Sequence, residues 1–180
     1  MTVLTVGHST RKLDGFIALL KAHGVTRVVD VRTVPRSRHN PQFNRDTLPQ
    51  ALAGAGIEYT HMKGLGGLRH TRKDSPNTGW RNASFRGYAD YMLTPEFEEN
   101  LNALIELARG ERVAIMCAET VPWRCHRSLI ADALVVRGVA VEHIASETQH
   151  PPHELTGFAK VEGTTITYPA PKEQLDLEMS

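Results

Sequence analysis

Apolar positions in this chain fall into two kinds of run that alternate along its length. The first kind is short and β-branched: Thr2–Gly7, Val25–Val34, Ile57–Gly64, Arg112–Glu119 and Val139–Ser146. Such runs, bounded by Gly or Pro, predict buried strands. The second kind repeats every three or four residues. Leu13, Phe16, Ile17 and Leu20 predict a helix stopped by Gly24, and Leu101, Leu104, Ile105 and Ala108 predict another. Asp46–Gly56 reads as a weaker helix with Pro49 confined to its first turn. Ser84–Leu93 and Pro95–Arg109 read as two helices broken at Thr94-Pro95, and Cys125–Gly138 as a last one.

The resulting order, β-α-β-α-β-α-α-β-α-β, predicts an α/β fold with a mostly parallel sheet and helices on both faces. One α/β domain is expected over residues 1–146. Residues 147–180 would be a C-terminal extension, packed on the domain or partly flexible, in which Phe158–Gly163 and Thr164–Pro169 suggest a small hairpin. Two segments lack periodicity. Pro35–Asn44 is a loop, and Gly64–Asn82 is either an ordered functional loop or a mobile lid.

Length and composition agree with this picture. The 180 residues are 41% hydrophobic, enough for a sizeable core and too many for a disordered chain. With 21 basic and 20 acidic residues, net charge says nothing about partners, but its distribution does. Between Val31 and Lys73 the acids are Asp46 and Glu58 only, against eight basic residues that include Arg32, Arg36, Arg38 and Lys63. From Val139 onward the balance turns acidic. Two cysteines make no disulfide framework, and neither a signal peptide nor a membrane-spanning run is present, so a cytoplasmic protein with no membrane partner is expected.

Ligands of open parallel sheets bind beyond the C-terminal strand ends. The predicted ends carry His8, then Asp30 and Arg32, then His61 and Lys63, then Cys117 and Glu119. Asp30 and Arg32 face the same way on a strand and can pair, as a structural tether or as part of a site. Arg36 and Arg38 follow, and arginine forks suit phosphate or carboxylate. His8 and His61 can carry protons near neutral pH. Gly66 and Gly67 permit close approach of a ligand to the backbone.

The strongest local pattern is Cys117-Ala118-Glu119 followed by Cys125-His126-Arg127, which joins a buried strand to a helix N-terminus. There a helix dipole and free amides attract anions and lower a thiol's pKa. An anion cradle using Glu119 and Arg127, a reactive thiol at Cys117 or Cys125, a metal site and plain core packing all remain open. The cysteine and histidine spacing matches no known zinc pattern, and no cofactor is clearly implied.

Several of these segments occur together in a specific order: Val6-Gly7-His8-Ser9-Thr10, Asp30-Val31-Arg32 continuing through Pro35–Arg38 and Asn40–Asn44, Leu65-Gly66-Gly67, Tyr88–Met92, and the cysteine segment. In this the chain resembles the domain-of-unknown-function family 488, from about Val6 through Ile144. The resemblance implies an intracellular α/β domain and brings no established reaction. A fainter similarity to rhodanese-like domains lies in an Asp-x-Arg strand and a cysteine loop before a helix. Here, however, that loop is longer, contains Pro122 and holds a second cysteine.

Three functions follow as expectations. The first is an enzyme on a phosphate-bearing substrate, nucleotide or nucleic acid, with Arg32, Arg36, Arg38 and Arg127 on the anion, supported by His61, Lys63, Gly66, Gly67 and His126. Asp30, Glu119 or His8 would then carry protons. The second is thiol chemistry such as sulfur transfer. The third is a non-catalytic nucleic-acid-binding module on the basic stretch.

Overall fold

The computed structural model describes residues 1–171; the part of the expected extension from residue 172 onward lies outside them. Five strands, β1 (Thr2–Gly7), β2 (Arg27–Asp30), β3 (Glu58–His61), β4 (Val113–Cys117) and β5 (Ala140–His143), form one sheet in the order β3-β2-β4-β1-β5. Every pairing is parallel. Helices α1 (Leu13–Ala22) and α2 (Leu48–Gly54) lie in the first two connections. Helices α3 (Ala83–Tyr91) and α4 (Pro95–Gly110) fill the third, and α5 (Arg127–Val136) the last.

Alternation along the strands feeds two cores. Val3, Val29, Val113 and Ile115 pack with α3, α4 and α5, while Leu4, Val6, Val28 and Met116 pack with α1 and α2. A sheet covered on both faces needs apolar residues on both, which is why β4 is buried throughout. Thr94 accepts a hydrogen bond from Phe97 N at 3.3 Å, and Pro95 occupies the first helical turn, so α4 starts where the sequence breaks. Gly138, at φ +80°, turns the chain out of α5 as only glycine does cheaply.

The connections from β1 and β2 run toward β3, and those from β3 and β4 run the other way. The sheet's switch point therefore falls between β1 and β4. Pairing there continues beyond the strand ends, with His8 N donating to Cys117 O at 2.9 Å and Ser9 N to Ala118 O at 2.9 Å.

Hydrogen bonds tie Gly64–Asn82 to the rest of the domain. The buried Asp90 carboxylate accepts from Arg72 N at 2.8 Å, Ser75 Oγ at 2.6 Å and Asn77 Nδ2 at 2.7 Å. The C-terminal segment clamps the same loop. It carries an antiparallel hairpin, β6 (Lys160–Glu162) with β7 (Thr165–Thr167). Tyr168, fully buried just after β7, bonds to the backbone of Gly79 and the side chain of Asn77.

Candidate functional site

Two adjoining hollows open beyond the strand ends. His8, Arg32, Arg36, Gly67, Ala118 and His126 line one, and Arg32, Gly67, Cys117, Glu119, Cys125 and His126 line the other along with Arg124. They share Arg32, Gly67, Leu68, Ala118 and His126, and so make one groove over the switch point. Leu68 stands exposed on this groove with a left-handed φ of +59°, a conformation that costs a non-glycine residue energy and recurs at functional sites.

Asp30 and Arg32 form a tether under the groove. Asp30 is fully buried, and its carboxylate accepts Arg32 Nε at 2.9 Å, Arg32 Nη2 at 2.7 Å, Arg32 N at 3.1 Å and Tyr59 OH at 2.6 Å. Burial and this bond to Asp30 push the Tyr59 phenol up. Arg32 Nη2 also donates to Phe43 O at 2.7 Å, and His61 Nε2 donates to Arg32 O at 2.7 Å. With its four acceptor bonds satisfied and no surface exposed, Asp30 has no route to a substrate proton.

His8 donates from Nδ1 to Ser9 O at 2.9 Å, leaving Nε2 to accept Arg32 Nη1 at 3.2 Å. Burial lowers its pKa, as does Arg32, so the imidazole facing the groove is neutral. It stacks on Phe43 with ring centres 4.4 Å apart.

The cysteine segment lies across the switch point. Cys117 ends β4, Cys125 and His126 immediately precede α5, and Arg127 begins it. The two sulfurs are 2.7 Å apart, with Cys125 donating to Cys117. Arg127 is 1% exposed and donates from Nη1 to Cys117 Sγ at 2.7 Å and to Glu119 O, from Nη2 to Thr120 O at 2.8 Å, and from Nε to Thr5 Oγ1 at 3.2 Å. The guanidinium is thus fully engaged beneath the groove. Glu119 points its carboxylate at Val121 N, 3.1 Å away, capping its own loop.

These contacts separate the two thiols. Burial pushes Cys117 up, but the Cys125 thiol and the Arg127 guanidinium outweigh it and bring Cys117 down to about 7. Cys125 moves in the opposite direction, because its S–H donates a hydrogen bond to Cys117 and it is itself buried. His126 donates from Nε2 to Val31 O at 2.9 Å, so its Nδ1 lone pair faces Cys125 Sγ at 3.6 Å. Burial lowers His126 to about 4 and keeps it neutral. The arrangement sets Cys117 between a fixed cation and a thiol donor, both of which favour its thiolate form.

Other expected residues lie apart. Lys63 is exposed, and Arg38 is exposed on a loop lining neither hollow. Gly66 is packed against Thr33 and lines neither hollow. Arg36 and Arg124 line the groove, and their guanidinium groups make no hydrogen bond or ion pair among the described residues. Also among the described residues, no group of three or more His, Cys, Asp or Glu is placed to hold a metal ion, and no helix is long and apolar enough to cross a membrane.

Sequence reasoning missed Thr5, Asp132, His143, His153 and Tyr168, which form a buried polar network behind Arg127. One signal was there: Asp132 is a single acid in the otherwise apolar run Leu129–Val136.

Fold and site together define a parallel α/β protein with a thiol-bearing groove at its switch point. The chain belongs to the family described as domain of unknown function DUF488, whose model matches residues 12–134, more than half of its length. Neither the curated proteins nor the solved structures contain a match.

Proposed function

We propose that this protein is a thiol-dependent enzyme in which Cys117 is the nucleophile and an anionic substrate lies in the groove. The observation that carries the reading is Arg127 Nη1 at 2.7 Å from Cys117 Sγ, a buried cation that makes no direct ion pair with a carboxylate among the described residues. A guanidinium in that position favours the thiolate, the form that attacks.

The anionic preference rests on Arg36 and Arg124, whose guanidinium groups are unpaired among the described residues and line the hollows on which Cys117 and His126 also border. Arg32 and Arg127 are occupied by their own chain, so a site built mainly on arginine forks around phosphate has less support than thiol chemistry. Sulfur transfer suits the arrangement. Cys117 Sγ attacks the sulfane sulfur of an anionic donor, a new S–S bond forms as the donor's breaks, and the electron pair leaves on the departing anion. A persulfide remains on Cys117. Cys125 keeps its proton throughout and stabilises the neighbouring sulfur by hydrogen bonding. A free dithiol of this kind suits the reducing cytoplasm.

Carboxymethylation tests the reading. Iodoacetate should modify Cys117 near pH 7 faster than it modifies free cysteine, and should gain more than neutral iodoacetamide does. Cys117→Ser should remove the fast reaction, and the double variant Arg36→Ala, Arg124→Ala should remove the preference for the anion. Neither cysteine outpacing the free amino acid would end the thiol reading. An unchanged iodoacetate preference in the double variant would end the anionic one.

A further inference from the structure

We infer that Asp132, His153, His143 and Thr5 form a buried relay that positions Arg127 against Cys117; the inference rests on the thiol reading above. The atoms run in one unbroken line. Arg127 Nε donates to Thr5 Oγ1 at 3.2 Å, and Thr5 Oγ1 lies 2.6 Å from His143 Nδ1. His143 Nε2 lies 2.8 Å from His153 Nδ1, and His153 Nε2 lies 2.7 Å from Asp132 Oδ1.

Only one assignment of protons satisfies every member. Thr5 Oγ1 accepts from Arg127, so its own hydrogen goes to His143 Nδ1, which makes His143 Nε2 the donor to His153. His153 Nε2–H then meets Asp132. Were His143 to carry its proton on Nδ1, the Thr5 hydroxyl hydrogen would have no acceptor among the described residues. All donors therefore point from the guanidinium toward the carboxylate, and bonds aligned in this way polarise one another.

The carboxylate end is anchored more firmly than a packing role needs. Asp132 is fully buried and also accepts from Thr156 N at 3.1 Å, Thr156 Oγ1 at 2.7 Å and Tyr168 OH at 2.8 Å. His153, Thr156 and Tyr168 all come from the segment after the sheet, outside the region the family model matches. The titratable and charged groups packed around the relay are Cys117, Cys125, Arg127, Asp132, His143, His153 and Tyr168. In Arg127 and Asp132 the line has one cation and one anion. The relay fixes the side of the guanidinium that faces away from the thiol, which leaves Nη1 aimed at Cys117 Sγ. These four are positioning residues that act through Arg127.

Two substitutions at Thr5 separate this role from packing. Thr5→Val keeps the shape and loses the hydroxyl, whereas Thr5→Ser keeps the hydroxyl and loses a methyl. The pH profile of Cys117 carboxymethylation is the readout, with a melting curve for each variant. Thr5→Val should raise the thiol's midpoint by about half a unit and slow modification below that midpoint about threefold. Thr5→Ser should restore the wild-type profile despite its missing methyl. Asp132→Asn should shift the midpoint in the same direction as Thr5→Val; if that variant does not fold, the Thr5 pair decides. The inference is overturned if Thr5→Val keeps the wild-type midpoint or if Thr5→Ser loses it. A folded Asp132→Asn with an unmoved midpoint would overturn it equally. A wild-type midpoint at the value of free cysteine would instead defeat the thiol reading itself.

Discussion

Arg127 Nη1 lies 2.7 Å from Cys117 Sγ, and the same guanidinium ties down the carbonyls of Glu119 and Thr120 in the loop that follows. One side chain thus favours the thiolate of Cys117 and fixes the shape of the loop above it. Lysine has neither the planar fork nor enough donors for four partners that lie in different directions. Arg127→Lys should lower stability by about 2–3 kcal/mol in urea unfolding, the cost of leaving buried carbonyls unmet. It should also move the Cys117 alkylation midpoint upward from about 7. An unmoved midpoint would mean that charge alone, without the fork, holds the thiolate.

Gly7 makes the same point from the opposite strand. A methyl group there would collide with the carbonyl of Glu119, one of the acceptors that Arg127 holds. Gly7→Ala should displace the cysteine loop, lower the melting temperature and slow Cys117 modification together. Slower modification at an unchanged melting temperature would argue for a local effect confined to access.

Asp30→Asn tests whether the Asp30–Arg32 pair is a tether. Removing one charge from a buried, hydrogen-bonded pair leaves the other uncompensated and should cost about 3–5 kcal/mol. Because Asp30 lies beneath the groove and does not line it, the alkylation profile of Cys117 should change far less than stability does. A profile lost while stability stays intact would put Asp30 back among the reacting groups.

Stability should also fall with acid. Burial lowers both His126 and His143 to about 4, from 6.5 in an unfolded chain. An unfolded chain then binds protons that the folded one refuses, so the stabilisation is complete above about 6.5 and lost as pH falls toward 4. Melting temperatures measured across that range should drop steadily, and His143→Gln should flatten the slope. Equal slopes in wild type and variant would mean that His143 is not a source of it.

The loop between β3 and α3 should depend on one carboxylate. Asp90→Ala removes the acceptor for Arg72 N, Ser75 and Asn77, and trypsin should then cut after Arg72 or Lys73 in an otherwise folded protein. Resistance equal to wild type would show that the clamp by Tyr168 suffices.

Much of this was legible in the residues. Spacing of apolar positions identified each of the five sheet strands, and α2 begins with Pro49 in its first turn as expected. Strand-end positions drew attention to His8, Arg32 and Cys117, and the helix N-terminus to Cys125; all four line the same groove, because parallel connections bring those ends to one edge. What the residue types did not reveal was which of them already had partners. Arg32 and Arg127 looked like ligand arginines, yet each is surrounded by acceptors from its own chain. The extension after β5 carried no recognisable motif, although it supplies His153, Thr156 and Tyr168 to Asp132.

The local pattern of side chains was sufficient to determine helices, strands and their parallel arrangement, since burial periodicity is a property of neighbours along the chain. Whether a charged group is available or engaged was decided only by tertiary structure. That depends on residues more than a hundred positions away, such as Thr5 against Arg127 and His143, which meet because β1 lies between β4 and β5. Distances of a few ångströms between distant segments decide which groups a thiol or a guanidinium meets, and no periodicity along the chain encodes them.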